Sequence, residues 1–265
     1  MYIIKVGGGA SINLQGVADD LAALDAPALV VLGANAVRDG LAERLGTPRQ
    51  TITSQSGYTS VLSDEAAIDA ILMAYAGLRA KRFVELCQQR GVNALSLSGI
   101  DGQLVRGERN KGIRVREGGK NLIKRDFSGK PRSANGALLR LLLDNGYVPV
   151  LTIPILDERG YAINSENDDI VNVLQESLQA ECIVQLIEAP GFLDDADDEN
   201  SVLRHLSRAE VDAREAQLEG RIKRKMLALK RLLESGATRV VIADGRIESP
   251  IRQALAGHGT LIGQG

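Results

Sequence analysis

The chain has 265 residues, of which 44% are hydrophobic, and its formal net charge is −2. This length allows a large buried core, and the charge gives no general reason to expect binding to nucleic acid or to a membrane surface. Aromatic residues make up 3% of the chain and tryptophan is absent, which argues against platforms for stacking bases. No apolar run reaches the roughly 18 residues of a transmembrane helix.

The start of the chain and its cysteines indicate a cytoplasmic protein. The sequence enters a strand pattern at once, without the charged and apolar regions of a signal peptide. Cys87 and Cys182 are far apart and lack the spacing of metal ligands. We therefore expect both to be reduced residues of the core.

Strand and helix patterns alternate along the chain. Apolar, β-branched runs predict strands at 2–6, 28–33, 92–99, 147–156, 182–187, 238–243 and 259–263. Helical patterns follow the first two strands and recur at 64–91, 133–146, 168–180, 221–235 and 249–257. This alternation predicts an α/β fold with a mostly parallel sheet covered on both faces, and ligands bind at the carboxyl ends of such strands.

Residues 103–126 interrupt the alternation with short strand-like pieces and glycine turns, so we expect inserted antiparallel hairpins. Between Arg106 and Arg132 the sequence has ten basic and three acidic residues, a balance of +7. The rest of the chain therefore carries −9, since the total is −2. The acidic run at 194–199 is interpreted as a solvated loop.

Two glycine turns each lead from a strand into a helix: KVGGG at 5–9, and the weaker LGAN at 32–35. Glycines let backbone N–H groups converge on an anion, and a helix start adds partial positive charge. Lys5 would supply a compact full charge. The lysine precedes the glycines, so this is neither a Walker A loop nor GxGxxG. By itself the pattern fits a phosphate site and an ordinary strand-to-helix turn equally well.

Two later stretches also point to an anionic ligand. AINSENDDI places Asn164 and Asp168 at the beginning of a helix. GRIKRKM places Arg221, Lys223, Arg224 and Lys225 in the first turns of another helix, where positive charge opposes the helix dipole. The cations form either a solvated face or a site where a bound anion offsets this cost.

These motifs resemble the amino-acid kinase family, and within it the acetylglutamate kinases and the related [LysW]-aminoadipate kinases. The resemblance runs from Lys5 to the end of the chain. KVGGG is similar to the family's first loop, SGIDG at 98–102 to its core, AINSENDDI to its catalytic asparagine and aspartate segment, and GRIKRKM to its second lysine motif. SQSGYTS at 54–60 and the basic hairpins resemble the carrier-dependent branch.

The resemblance implies a three-layer α/β/α sandwich forming one domain over 1–265, with an acceptor-binding half at about 1–160 and an ATP-binding half at about 161–265. It implies transfer of a phosphoryl group from ATP, with Mg²⁺ bound mainly through ATP and not by the protein, to the side-chain carboxylate of an amino acid. An ionised carboxylate needs no general base, so the site must supply alignment and relief of charge repulsion.

The resemblance also implies roles for individual residues. Lys5 and Lys225 would flank the transferred group, with Asp168 orienting both. The phosphates would meet Gly7, Gly8, Gly33 and Ala34. The acceptor would meet Asn164, Ser60 and Val61. Adenine and ribose would lie near Ile187, Glu188 and Gly191.

The chain departs from the family pattern at three positions. Ala34 stands where relatives have a second glycine, and Glu188 where they often have Asp or Asn. Val61 stands where relatives carry an arginine that grips the acceptor's α-carboxylate. If position 61 lacks that clamp, another cation such as Arg79, or one of the hairpin segment, would fill the role.

The leading hypothesis is a kinase for aminoadipate or glutamate attached to a small acidic amino-group carrier protein, in lysine or arginine biosynthesis. The alternatives are an acetylglutamate kinase that uses the free amino acid, and a weakened, nucleotide-binding regulator. By the same resemblance we expect a homodimer that pairs through the long central helix.

Overall fold

The computed structural model describes residues 1–46, 51–53, 59–117, 120–195, 197–217, 220–237 and 239–263. Within these ranges, side chains are described except at 51–53, 59–61, 114–117, 120–121, 216–217 and 220–225.

The strands are β1 (Tyr2–Val6), β2 (Ala28–Leu32), β3 (Thr51–Thr53), β4 (Thr59–Val61), β5 (Ala94–Ser98), β6 (Val105–Arg109), β7 (Ile113–Glu117), β8 (Lys120–Lys124), β9 (Gly129–Ala134), β10 (Val148–Thr152), β11 (Ile155–Leu156), β12 (Ala162–Ile163), β13 (Cys182–Ile187), β14 (His205–Ser207), β15 (Arg239–Asp244) and β16 (Thr260–Gly263). The α-helices are α1 (Leu14–Ala22), α2 (Asn35–Arg44), α3 (Glu65–Ile71), α4 (Ala80–Gln88), α5 (Gly136–Asp144), α6 (Asn167–Leu178), α7 (Arg208–Gln217), α8 (Gly220–Glu234) and α9 (Pro250–Leu255). A π-helical segment, Leu72–Arg79, joins α3 to α4.

The central sheet has eight strands in the order β14-β16-β15-β13-β1-β2-β10-β5. Every neighbouring pair is parallel except β15 and β16, which are antiparallel. The expectation of a mostly parallel sheet is therefore confirmed. β16 follows the short helix α9 and lies beside β15 in the opposite direction.

Helices cover both faces of this sheet. Ile3 packs in the core under α3, α6 and α8, whereas its neighbour Ile4 packs in the core under α1, α4 and α9. Successive side chains of a strand point to opposite faces, so buried strands need apolar residues at consecutive positions, as in Leu29–Leu32. The three-layer α/β/α fold is confirmed.

The long helix predicted over 64–91 begins at Glu65 and ends at Gln88, with Gly91 at φ +73° just beyond it. The Asp64 carboxylate caps it by accepting from the Ala67 amide at 2.9 Å. Tyr75 belongs to one core and Ala80 to the other. The π-helical segment is therefore where the helix passes from one face of the sheet to the other.

The hairpin segment forms two antiparallel pairs, one inside the other. β6 pairs with β9, and β7 pairs with β8 between them. The insertion is confirmed, but it is longer than 103–126, because β9 extends to Ala134 and β6 also pairs with β11 in a small separate sheet.

The single strand predicted at 147–156 is wrong. β10 ends at Thr152, and β11 leaves the central sheet for the small one. Pro154 lies between them and has no N–H to donate to a ladder, so the pairing changes there.

Cys87 and Cys182 are free and buried, as expected for core residues. Burial raises the pKa of the Cys87 thiol to about 12, which makes it inert at neutral pH. Among the helices of the described residues, none is both long and apolar enough to cross a membrane.

Candidate active site

Lys5 lies in the middle of the carboxyl edge of the central sheet. On β1 it is in register with Val31 of β2 and Gln185 of β13. Its ammonium group donates a hydrogen bond to the carboxylate of Asp168, in the first turn of α6. The side chains of Lys5 and Asp168 are 13% and 26% exposed, so the ion pair is largely shielded from bulk water but can still be reached by a ligand.

The two glycine loops pack directly against each other beside Lys5. A Cβ atom added to Gly8 would lie 2.6 Å from the Asn35 amide nitrogen, and one added to Gly33 would lie 2.6 Å from the Gly8 nitrogen. The Ala36 amide donates to the Gly8 carbonyl at 2.9 Å. Only glycines permit this approach of backbone to backbone, which explains the pair of motifs that the sequence shows.

The amide donors of these loops are not equivalent. Gly7 donates to the Leu186 carbonyl and Gly33 to the Val6 carbonyl, each at 2.9 Å. Burial raises the pKa of the Tyr75 hydroxyl, although nearby Arg38 and the Ala34 amide, which faces that hydroxyl, lower it by less. Within the described residues, the amides of Gly8 and Gly9 donate no hydrogen bond. The donors available to an anion are thus those of Gly8 and Gly9, and not those of Gly7 and Gly33.

The side chain of Glu188 packs against the first glycine loop at Gly9 and Ser11. Its Oε1 accepts from the Ser11 amide at 2.9 Å and from the Ser11 hydroxyl at 2.6 Å. These two hydrogen bonds hold the pKa of Glu188 below its ordinary value. A Cβ atom on Gly9 would lie 1.8 Å from the carboxylate, so Gly9 must be a glycine for Glu188 to lie there.

On the other side of Lys5, Asn164 is held between the hairpin segment and the residues before α3. Its amide donates to the Phe127 carbonyl at 2.7 Å, and its carbonyl accepts from Gly129 at 2.9 Å. Its side-chain Nδ2 donates to the Ser63 hydroxyl at 3.2 Å. Ser63 follows β4, which contains Ser60 and Val61, but the side chains of those two residues lie outside the described residues.

The cations at 221–225 lie in the first turns of α8, which begins at Gly220, but their side chains, including that of Lys225, lie outside the described residues. The backbone gives the position of Lys225. Leu229, one turn later, lines a cavity of about 30 Å³ together with Lys5, Asp168 and Gln185. α8 therefore passes beside the Lys5–Asp168 pair at Leu229, and it packs against α6, which carries Asp168.

The expected nucleotide segment lies at the end of β13. Ile187 lines the same cavity as Lys5 and is in register with Asp244 of β15. Gly191 packs so closely that a Cβ atom there would lie 2.9 Å from the Thr260 hydroxyl, which accepts from the Phe192 amide at 2.8 Å. The segment is thus joined to the start of β16.

A model of the amino acid kinase family matches residues 1–244. The chain belongs to the amino acid kinase family. It is 40% identical to the [LysW]-aminoadipate kinase of Thermus thermophilus, over 99% of this chain and all of that protein. It is 30% identical to the acetylglutamate kinase of Methanopyrus kandleri, again over 99% of this chain and all of that protein.

The fold agrees with solved structures. The protein smu.665 of Streptococcus mutans UA159 superposes with a TM-score of 0.73, at 18% identity, over all of this chain and 98% of that one. At that identity the comparison concerns the fold alone. Together with the family match, it supports the topology described above.

Sequence reasoning missed two polar groups at the site. Gln185 is buried and lines the cavity beside Lys5, and its polar character inside the apolar run CIVQLI was the available signal. The Tyr75 hydroxyl donates to Asn35 Oδ1 at 2.6 Å. No local pattern links those two residues, because the contact joins separate helices.

Proposed function

We propose that this chain transfers the γ-phosphoryl group of ATP to the side-chain carboxylate of aminoadipate, or of glutamate, attached to a LysW-type amino-group carrier protein. The product is an acyl phosphate for lysine or arginine biosynthesis. The observation that carries the proposal is the Lys5–Asp168 ion pair beside two packed glycine loops, in a chain similar over its full length to a kinase of that name.

The residues present suit the phosphates of ATP. An anion site needs positive charge, backbone N–H donors and space for the anion. Here Lys5 supplies the charge, the amides of Gly8 and Gly9 are available as donors, and the glycines have no Cβ atom to obstruct the anion. Among the described residues, no group of three or more His, Cys, Asp or Glu could hold a metal ion. By family resemblance we propose that Mg²⁺, which would neutralise developing charge, is bound mainly through the phosphates of ATP.

The chemistry requires little beyond alignment and charge. One carboxylate oxygen of the acceptor forms a bond to the γ-phosphorus, the bond from that phosphorus to the bridging oxygen breaks, and ADP leaves with the electron pair. No proton moves, because a carboxyl group with a pKa near 4.3 is ionised at neutral pH. Two anions must nevertheless meet, so preorganised cations carry the catalysis.

Each member of the site has a role in this scheme. Lys5 lies where the phosphoryl group passes, and Asp168 fixes its ammonium group by accepting a hydrogen bond. Lys225 acts from the opposite side, at the start of α8. Asn164 holds the acceptor, with Ser60 and Val61 nearby. The adenosine lies over Ile187, Glu188 and Gly191, so that residues from about 161 onward form the nucleotide half and residues to about 160 the acceptor half.

The hairpin segment is the proposed docking surface for the carrier. Arg106, Lys111 and Lys130 are exposed there, in the segment with a balance of +7. An open depression of about 420 Å³, lined partly by Gln103, Arg106 and Asn135, lies at its base. An acidic carrier would be drawn to this surface, which acts mainly on encounter rate and specificity.

The alternative is an acetylglutamate kinase that uses free N-acetylglutamate, and the 30% identity to an enzyme of that name favours it. The same catalytic residues would serve both acceptors. A nucleotide-binding regulator is disfavoured, because Lys5, Asp168 and Lys225 are all retained.

We further propose a homodimer in the cytoplasm. Met73 and Leu78 on the π-helical segment are 44% and 47% exposed, and Leu95 on the edge strand β5 is 36% exposed. Burying such apolar surface against a second copy would favour pairing through this helix. A Met73→Glu/Leu78→Glu variant should then run as a monomer in light scattering, and a wild-type chain that is itself monomeric would contradict the proposal.

The function is tested by trapping the acyl phosphate with hydroxylamine. The enzyme, MgATP and aminoadipate, glutamate or N-acetylglutamate are combined, with the first two both free and attached to LysW. Hydroxamate should form fastest with carrier-linked aminoadipate. Faster reaction of free N-acetylglutamate would establish the alternative, and no hydroxamate with any acceptor would contradict both.

A further inference from the structure

Arg79 is the last residue of the π-helical segment that joins α3 to α4. π-helical turns are rare and occur often at functional sites. One turn earlier, Tyr75 donates a hydrogen bond to Asn35 Oδ1 at 2.6 Å. Asn35 follows the second glycine loop and packs against Gly8. A hydrogen bond therefore joins the π-helical segment that carries Arg79 to the glycine loops beside Lys5.

The guanidinium group of Arg79 has no partner for one of its edges. Its Nε and Nη2 are buried, and within the described residues neither donates a hydrogen bond. Arg79 itself is half-buried, but two buried donors of an always-charged group without an acceptor are costly, and unsatisfied donors of this kind in a folded protein need an explanation.

The unpaired edge is the one that binds carboxylates. The N–H bonds of Nε and Nη2 are parallel and match the two oxygens of a carboxylate. Arg246 shows this geometry in the same chain, since its Nε and Nη2 donate to the two oxygens of Asp244 at 2.9 and 2.8 Å. Arg79 presents the same pair of donors without a carboxylate.

The nearest described carboxylate does not satisfy this edge. Glu188 is close enough to raise the pKa of Arg79, which burial lowers by more. However, Glu188 Oε1 accepts from the amide and hydroxyl groups of Ser11, and no hydrogen bond joins it to Arg79. Glu188 thus leaves both donors of Arg79 available.

We propose that Arg79 binds a second carboxylate of the acceptor, the α-carboxylate of the amino acid whose side chain is phosphorylated. This inference rests on the proposed function. The π-helical segment packs against α2 and β5, which belong to the acceptor half, whereas the nucleotide half begins across β1 at β13. This packing favours the acceptor as the source of the anion. Because Glu188 of the expected nucleotide segment also lies near Arg79, a phosphate of ATP is the competing anion, and the KM for ATP distinguishes the two.

The test compares acceptors with and without that carboxylate. Carrier-linked aminoadipate is set against carrier-linked 5-aminopentanoate, which lacks only the α-carboxylate. Should free N-acetylglutamate prove to be the substrate, the pair becomes N-acetylglutamate and 4-acetamidobutanoate. Wild type should favour the full acceptor by about 10- to 100-fold in kcat/KM, the range for a hydrogen-bonded charge pair.

Arg79→Met should remove that preference by raising KM for the full acceptor alone, with KM for ATP within about twofold of wild type. Arg79→Lys should restore little, because an ammonium cannot make the paired contact. Arg82→Met is the matched control, since Arg82 lies three residues further along the same helix, is 70% exposed and pairs with Glu85; it should behave as wild type.

Three results would overturn the inference. The Arg79→Met variant could keep the wild-type preference, or it could raise KM for ATP alone, which would identify the anion as a phosphate. Arg79→Met could also lower Tm while the preference persists, which would mean a structural role. If wild type phosphorylates no acceptor, then the proposed function itself has failed, and direct binding of aminoadipate and 5-aminopentanoate by calorimetry tests Arg79 separately.

Discussion

The chain has two charged regions that differ in how their charges are held. At the carboxyl edge of the central sheet, Lys5 and Asp168 form a partly buried ion pair. The hairpin segment is rich in basic residues, and those that are described as exposed are Arg106, Lys111, Arg125, Lys130 and Arg132. The side chains of its Arg132–Glu108 pair are 63% and 60% exposed. Water and salt weaken the electrostatic interactions of partly buried charges only a little. The interactions of exposed charges are screened beyond about one Debye length, roughly 8 Å at physiological salt. The region around Lys5 is thus suited to stabilising the transition state, and the hairpin segment to attracting a charged partner.

The largest effect should come from removing the charge at the centre of the buried region. Lys5→Ala should lower kcat by about a thousandfold, the scale of losing a preorganised charge from the transition state. Single-turnover rates measured by rapid quench give the value. Lys81→Ala is the control, because Lys81 is exposed and, within the described residues, its hydrogen bond goes to the Ser96 hydroxyl. A Lys5→Ala enzyme with more than a tenth of wild-type kcat would remove Lys5 from the mechanism.

Lys225→Ala tests whether the buried region has a second cation. Lys225 lies one helical turn before Leu229, which lines the same cavity as Lys5, so loss of the charge should lower kcat by about a hundredfold. Lys223→Ala, two residues earlier in the same helix, should have little effect on kcat. If Lys223→Ala lowers kcat by about a hundredfold and Lys225→Ala does not, Lys223 is the catalytic residue instead.

The glycine loops test the packing that holds the buried region together. Gly8→Ala should raise KM for ATP by about tenfold and lower Tm by several degrees, because the new methyl group would lie 2.6 Å from backbone that cannot rotate away. Gly40→Ala in α2 is the control. Nothing lies within 4 Å of its Cβ position, so Tm should hold or rise slightly. Equal Tm values for the two variants would contradict the close packing of the loops.

How much of this could be predicted from the sequence differs between the two regions. The strands and glycine loops around Lys5 were predictable, since β1 and β2 are short runs rich in apolar, β-branched residues and each is followed by glycine. The link between Lys5 and Asp168 came only through family resemblance, because no periodicity relates residues 163 positions apart. The hairpins were predictable as an insertion, but the pairing of β6 with β11 joins Arg106 to Leu156, and no local pattern relates residues so far apart.

Other features depend on tertiary contacts and therefore lay beyond sequence reasoning. The π-helical segment arises within one long amphipathic pattern, and nothing in the pattern marks where the helix changes face. The amides of Gly7 and Gly33 donate hydrogen bonds within the sheet because its pairing continues one residue beyond β1 and β2. The unpaired Nε and Nη2 donors of Arg79 could be identified only from the positions of the side chains around them.

The smallest effect should come from the exposed region. Reversing Lys111 and Lys130 to Glu should raise KM for the carrier-linked acceptor about three- to tenfold at low salt, because only the encounter is weakened. KM for ATP and kcat should stay within twofold. The matched control reverses Arg204 and Arg208, which are exposed outside the hairpins, and should leave every constant unchanged. Equal losses in both double variants would mean that net charge matters and that the location of the charges does not.

The central claim, that the buried charges perform the chemistry and the exposed ones recruit the carrier, is tested most directly by salt. The measurement is the rate with carrier-linked aminoadipate between 20 and about 300 mM salt, both as kcat/KM and as the single-turnover rate at saturating acceptor. We predict that kcat/KM falls about tenfold or more while the single-turnover rate changes less than twofold. A single-turnover rate that falls in parallel with kcat/KM, or a kcat/KM that does not respond to salt, would contradict this division between the two regions.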